Sequence, residues 1–223
     1  DMIKEKFQIK SFVKEVKTGE LQTQWHKPNQ DKVAVIYAVG SIIKGKGRKG
    51  QIIGSETTAK AIKRAREDKS VKGIILRIDS GGGSAFASDI MNREIEKCKE
   101  GKNKKPVIAS MSGVAASGGY FIAAKADKII AQPATITGSI GVFGTFMTFE
   151  KTLSKIGVYS DGVATTEMAG FSITRPLNEK MGQVIQMNVE EAYGRFLNVV
   201  ADARNMTPEQ VDKIAQGRVW IAT

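Results

Sequence analysis

The stretch VKGIILRIDSGGGSAFAS, residues 71–88, changes character at its centre. Residues 71–78 are an apolar run with the length and side-chain branching of a buried strand. Gly81, Gly82 and Gly83 break the run, and a helical pattern then continues to Cys98, with Met91, Ile95 and Cys98 on one face. The same alternation extends in both directions. KVAVIYAV (32–39) reads as a buried strand, followed by the loop KGKGRKG and a helix over SETTAKAIKRARED, with Ser55 as N-cap and Ala59, Ile62 and Ala65 on its inner face. PVIASM (106–111) is a third strand, a short helix runs from Ser117 or Gly118 to Ala126, and DKIIAQ is a fourth strand. Strands alternating with helices predict an α/β fold with largely parallel pairing. The C-terminal third is helical. Met181, Ile185, Val189, Ala192, Phe196, Val199 and Ala203 form one apolar stripe over about six turns. TPEQ (207–210) then opens a helix to about 215, with Thr207 as N-cap.

The length of 223 residues suits one large domain or two small ones. The net charge of +11 raises the question of nucleic acid or an anionic membrane surface. The lysines, however, are spread along the chain, with no arginine-rich tract and no aromatic–basic interleaving, so no nucleic-acid partner is expected. Cys98 is the single cysteine, which excludes an intramolecular disulfide and cysteine-rich zinc sites, and its place on an apolar helix face makes it a core residue. The single histidine, His26, lies in the polar stretch TQWHKPNQ and reads as a loop residue, which leaves a Ser-His-Asp triad without support. No run of about 18 apolar residues occurs. No signal peptide is visible, residues 1–31 form a charged lead-in, and the sequence reads as a piece of a longer chain.

Four glycine-containing segments carry possible chemistry. GKGRKG (45–50) matches a dinucleotide fingerprint, but the helix signal begins only at Ser55, so it reads as a solvated tip. DSGGGS (79–84) is either a tight strand-to-helix turn or a set of unshielded N–H groups for an anion or oxyanion. GVAASGGYFIAA (113–124) places a lone hydroxyl, Ser117, among small residues at a helix start, where it is either an N-cap or a nucleophile that a substrate backbone can approach. PATITGSIGVFG (133–144) brings Thr135, Thr137 and Ser139 into an apolar setting, for which the plain reading is a turn plus an edge strand.

Taken together, DSGGGSAFAS, ASGGYFIAAKADKIIAQPATITGSIGVFG and SITRPL resemble the S49 family of bacterial serine peptidases, the signal peptide peptidase A or protease IV family, over roughly residues 32–223. The resemblance implies a Clp protease/crotonase-type spiral of ββα units in a peptidase domain over 32–223. It implies Ser117 as nucleophile, Gly82 or Gly83 together with Gly118 as oxyanion donors, a lysine as general base, and Ser139 as the residue that orients that lysine. It further implies signal peptides and small membrane-derived peptides as substrates, a homo-oligomer on the outer side of the bacterial cytoplasmic membrane, and no metal or nucleotide cofactor.

One departure stands out. Single-domain members carry the lysine about fifty residues after the serine, where this chain has Met168 and Ala169, while Lys151, Lys155 and Lys180 flank the region in other contexts. Either the chain is the C-terminal half of a double-length enzyme whose other half holds the lysine, or Ala169 is an engineered replacement. The likeness of GVFGTFMTFEKTLSKIGV and SITRPL to the long form favours the first, with residues 1–31 as the inter-domain connection. Two rivals are a crotonase-type acyl-CoA enzyme and a non-catalytic assembly domain.

Overall fold

The computed structural model describes residues 31–101, 104–166, 169 and 171–222. The lead-in, with His26, and Met168 lie outside the described residues. The main sheet is built on β4 (Val71–Ser80), which pairs in parallel with β1 (Lys32–Val39) on one side and β5 (Val107–Ala116) on the other. Beyond β5 lie β6 (Lys128–Ile130) along its first half and β7 (Ile136–Gly138) along its end, both parallel. β8 (Val219–Ile221) closes the order antiparallel to β7. A second, two-stranded parallel sheet joins β2 (Ser41–Ile43) to β3 (Ile52–Gly54). The architecture is the α/β, parallel-dominated type that the sequence predicts.

Helices α1 (Ser55–Glu67), α2 (Ala85–Cys98) and α3 (Gly118–Ala124) cover one face of this sheet. Ile74, Leu76 and Ile78 of β4 point into that face, against Ile62 of α1, Met91 and Ile95 of α2, and Ile122 of α3. Burying each such side chain stabilises the fold by about 1.5–3 kcal/mol. Past α4 (Glu150–Ser154), the long helix α5 (Glu179–Arg204) and α6 (Pro208–Ile214) form a second core with the other side of α3. There Phe121 and Phe196 meet edge to face at 5.0 Å. Helix α3 is therefore held between two cores, one through Ile122 and Ala123 and the other through Phe121 and Ala124.

Cys98 is fully buried, and desolvation pushes its thiol up to about 11, so the thiolate needed for alkylation is scarce as well as shielded. Iodoacetamide at mildly alkaline pH should leave Cys98 unlabelled in the native protein and label it in denaturant; rapid native labelling would contradict its core placement.

Several local expectations change. Among the described residues, strand β1 is an edge strand with one open face, leaving Val35 47% and Tyr37 63% exposed, so its apolar run does not mark burial on both sides. Ser55 is not an N-cap: Gly54 holds that position, and the buried Ser55 hydroxyl instead accepts the Gly45 N–H at 3.1 Å. The loop after β2 is tied to the start of α1 by that bond, by Glu56 N–H to the Gly45 carbonyl, and by Gly47 N–H to Thr57 Oγ1. Its Lys46, Arg48 and Lys49 remain solvated, as expected. The third strand runs past residue 111 to Ala116, and the Thr135–Ser139 region is not an edge, because β8 covers β7. Of the predicted α5 stripe only Phe196 is fully buried, while Met181, Ile185, Val189, Ala192, Val199 and Ala203 are half-buried; the other fully buried residues of the helix, Val200 and Ala201, lie beside the stripe. Thr207 and Gln210 form the expected reciprocal capping box, worth about 1 kcal/mol.

Candidate active site

Strand β5 runs into α3 through Ser117, and the backbone there is strained. Ser117 has φ 52° and ψ −123°, outside the regions that non-glycine residues normally occupy, at a cost of about 1–3 kcal/mol. Its N–H donates to the Gly138 carbonyl of β7 at 2.9 Å, and its carbonyl accepts from Phe121 N–H at 2.9 Å. The packing of α3 between two cores holds this conformation. Ser117 occupies the N-cap position, yet its hydroxyl makes no capping bond. The capping alternative raised by the sequence thus has no bond to support it.

The glycine turn after β4 lies directly against this serine. A Cβ built on Gly82 would stand 2.8 Å from Ser117 Cβ and 2.7 Å from Gly118 N, so only glycine allows the approach. Gly82 and Gly83 take φ of 101° and 148°, values that L side chains resist. The Gly82 carbonyl accepts from Ile42 N–H at 2.9 Å, and Ser84 N–H donates to the Ile42 carbonyl at 2.9 Å. In a trans peptide the carbonyl and the following N–H point in opposite directions. The Gly83 N–H is therefore aimed away from Ile42, toward the side where Gly118 lies: a Cβ on Gly118 would be 3.3 Å from Gly83 N. Gly82 N–H is engaged by Ser80 Oγ at 3.1 Å. Among the described residues, Gly83 N–H and Gly118 N–H donate to no protein group. Two open amide donors thus converge beside Ser117.

Ser139 follows Gly138 and so continues the strand segment that binds the Ser117 amide. It is also strained, with φ 48°, and its N–H donates to the Arg218 carbonyl at 2.7 Å. Thr137 and Thr135 have structural bonds instead: Thr137 Oγ1 donates to the Ala115 carbonyl and Thr135 Oγ1 to the Ser112 carbonyl.

No hydrogen bond among the described residues brings a lysine or a carboxylate to Ser117. Lys151, Lys155 and Lys180 are exposed. Ala169 is exposed in a turn, with its N–H on Thr166. The buried lysine of the described residues is Lys105, whose ammonium donates to the carbonyls of Ala65 and Asp68. Desolvation lowers its pKa, but it precedes β5, at the opposite end of that strand from Ser117.

Sequence reasoning quoted DSGGGS for its glycines and missed Ser80, which is 2% exposed and donates to the Gly40 carbonyl at 2.7 Å. It also missed β8, whose Trp220 packs against Gly138. A hydroxyl set at the end of a buried strand was the available signal for the first. Three exposed residues gave none for the second.

The sequence profile of Peptidase family S49 matches residues 99–223. The chain is 49% identical to Protease 4 of Salmonella typhi over 84% of its own length and 30% of that protein's. It is 47% identical to Protease 4 of Haemophilus influenzae over 89% of its length and 32% of the relative's. A putative signal peptide peptidase SppA of Enterococcus faecium is 39% identical over 71% of the chain and 46% of that relative. The chain thus spans about a third of the length of the two Protease 4 relatives.

Proposed function

The chain belongs to peptidase family S49, and from that premise we propose that it is the nucleophile-bearing half of a serine endopeptidase that degrades cleaved signal peptides and other small membrane-derived peptides. The observation that carries this reading is the strained Ser117, with an uncapped hydroxyl beside two open amide donors. Strain held by packing on both sides belongs to sites where geometry serves chemistry.

In this reading Ser117 Oγ attacks the scissile carbonyl carbon while a neutral lysine amine takes its proton. The carbonyl oxygen becomes an oxyanion, held by Gly83 N–H and Gly118 N–H. The tetrahedral species collapses, the amine leaves with a proton from the lysine, and an ester remains on Ser117. Water then hydrolyses the ester by the same steps. Ser139 orients the lysine, which comes from the other half of a longer enzyme. Exposed apolar side chains between Phe143 (90% exposed) and Ile173, among them Met147, Ile156 and Tyr159, support a face covered by that half or by further copies of the enzyme. The enzyme works on the outer side of the bacterial cytoplasmic membrane, a reading in keeping with the name of the Enterococcus relative, a putative signal peptide peptidase.

The deciding experiment treats the full-length enzyme with a fluorophosphonate and maps the adduct. The expected result is modification at Ser117 with loss of apolar peptide-ester hydrolysis. Turnover of acyl-CoA thioesters without adduct formation would show the crotonase-type chemistry instead.

Gly83→Val should damage both folding and rate. Its first side-chain carbon would lie 2.2 Å from the Ile42 carbonyl oxygen, at a φ that valine resists. In whatever fraction folds, the mis-aimed amide should lower kcat by about 10²–10³. A folded valine variant with wild-type kcat would remove the turn from the chemistry.

A further inference from the structure

We propose that Ser80 is a positioning residue for the oxyanion site: its hydroxyl holds the Gly82 amide to the Gly40 side of the turn, so that the Gly83 amide is the one presented to the reacting carbonyl. The proposal rests on the peptidase reading above and adds a residue to it.

Ser80 ends β4 and is 2% exposed. Its one hydroxyl does two things at once: it donates to the Gly40 carbonyl at 2.7 Å and accepts from Gly82 N–H at 3.1 Å. Gly40 is itself fixed, since its N–H donates to the Asp79 carbonyl at 2.9 Å and its φ is 100°. The hydroxyl therefore ties the glycine turn to the crossing between β1 and β2. Apart from the two Ile42 bonds, a glycine-rich turn has little to resist rotation, because its residues tolerate many backbone angles. Were Gly82 N–H released, the peptide plane before Gly82 could turn, and the two Ile42 bonds, to the Gly82 carbonyl and from Ser84 N–H, would be left to set the aim of Gly83 N–H.

The backbone of Ser80 contributes from its other side. A Cβ on Gly119 would stand 2.5 Å from the Ser80 carbonyl oxygen, so the start of α3 rests on this residue. One residue thus touches both halves of the oxyanion site, the turn that presents Gly83 and the helix start that presents Gly118. It does so without touching substrate.

The test compares Ser80→Ala with wild type in the full-length enzyme. Three quantities are measured: kcat on an apolar peptide ester, affinity for a peptide aldehyde that forms a hemiacetal with Ser117, and affinity for the product peptide. The expected result is a fall in kcat of about 10–100-fold, part of the cost of losing an oxyanion donor. Aldehyde affinity falls in parallel, while KM and product affinity stay within about threefold. A merely structural role would lower thermal stability while leaving kcat per folded molecule and the aldehyde-to-product affinity ratio unchanged, and that result overturns the proposal. If Ser80→Ala does not fold, Ser80→Cys decides by the same ratio, since it keeps the volume with a weaker donor. An inactive wild-type enzyme counts against the peptidase reading itself, whereas an active wild type with an unaltered Ser80→Ala ratio counts only against Ser80.

Discussion

Ser117→Ala in the full-length enzyme should lower peptide-ester turnover by roughly 10⁴–10⁶-fold and leave the fold and its thermal stability nearly unchanged. The two halves of this result have separate causes. Activity is lost because the oxygen that attacks the carbonyl is gone, and the other hydroxyl close to Gly118, that of Ser88, is buried and committed to the Ser84 carbonyl at 3.0 Å. Stability is kept because the hydroxyl makes no capping bond, so its removal orphans no backbone donor that it had satisfied. The strained backbone at Ser117 is no harder for alanine than for serine, and its supports, Gly138 O and Phe121 N–H, are main-chain groups. A capping serine would behave the opposite way: its loss costs about 1 kcal/mol of stability and leaves turnover alone. Thermal unfolding and ester hydrolysis, measured on the same preparation, separate the two. An alanine variant with near-wild-type turnover would sink the nucleophile assignment.

The parallel core was legible in the sequence because β4 and β5 carry long apolar runs, whose residues on the helix-covered face are fully buried. Strand β1 looked the same and is not, since burial of Val35 and Tyr37 depends on what lies over the sheet, which periodicity does not encode. β8 escaped because its pairing with β7 joins segments some eighty residues apart and its side chains remain exposed. Ser55 misled because its hydroxyl has a partner from a loop ten residues earlier, not from its own helix turn. In the candidate site, glycines announced the turn, since positive φ and close approach leave few other choices. Which glycine presents its amide was not legible: it depends on Ile42 N–H and on the Ser80 hydroxyl, both set by tertiary packing.

The second large effect concerns the general base. This chain alone should fold yet hydrolyse the peptide ester at least about 10³-fold more slowly than the full-length enzyme, because an unassisted serine hydroxyl is a weak nucleophile. A lysine serves as base only when its amine is neutral, and that requires burial. Among the described residues the fold buries Lys105, and desolvation does lower its pKa there, but its ammonium caps carbonyls at the end of α1, far along β5 from Ser117. Lys151, Lys155 and Lys180 are exposed, so neutralising them singly to methionine should change little. Ala169 is exposed as well, and an amine placed there stays solvated and charged. Ala169→Lys in the isolated chain should therefore recover almost nothing, whereas addition of the proposed lysine-bearing half should restore turnover. Strong recovery by Ala169→Lys alone would place the native lysine at that position and make Ala169 the replacement. Strong activity in the unmodified isolated chain would exclude both arrangements, and the methionine variant that then abolished it would identify the base.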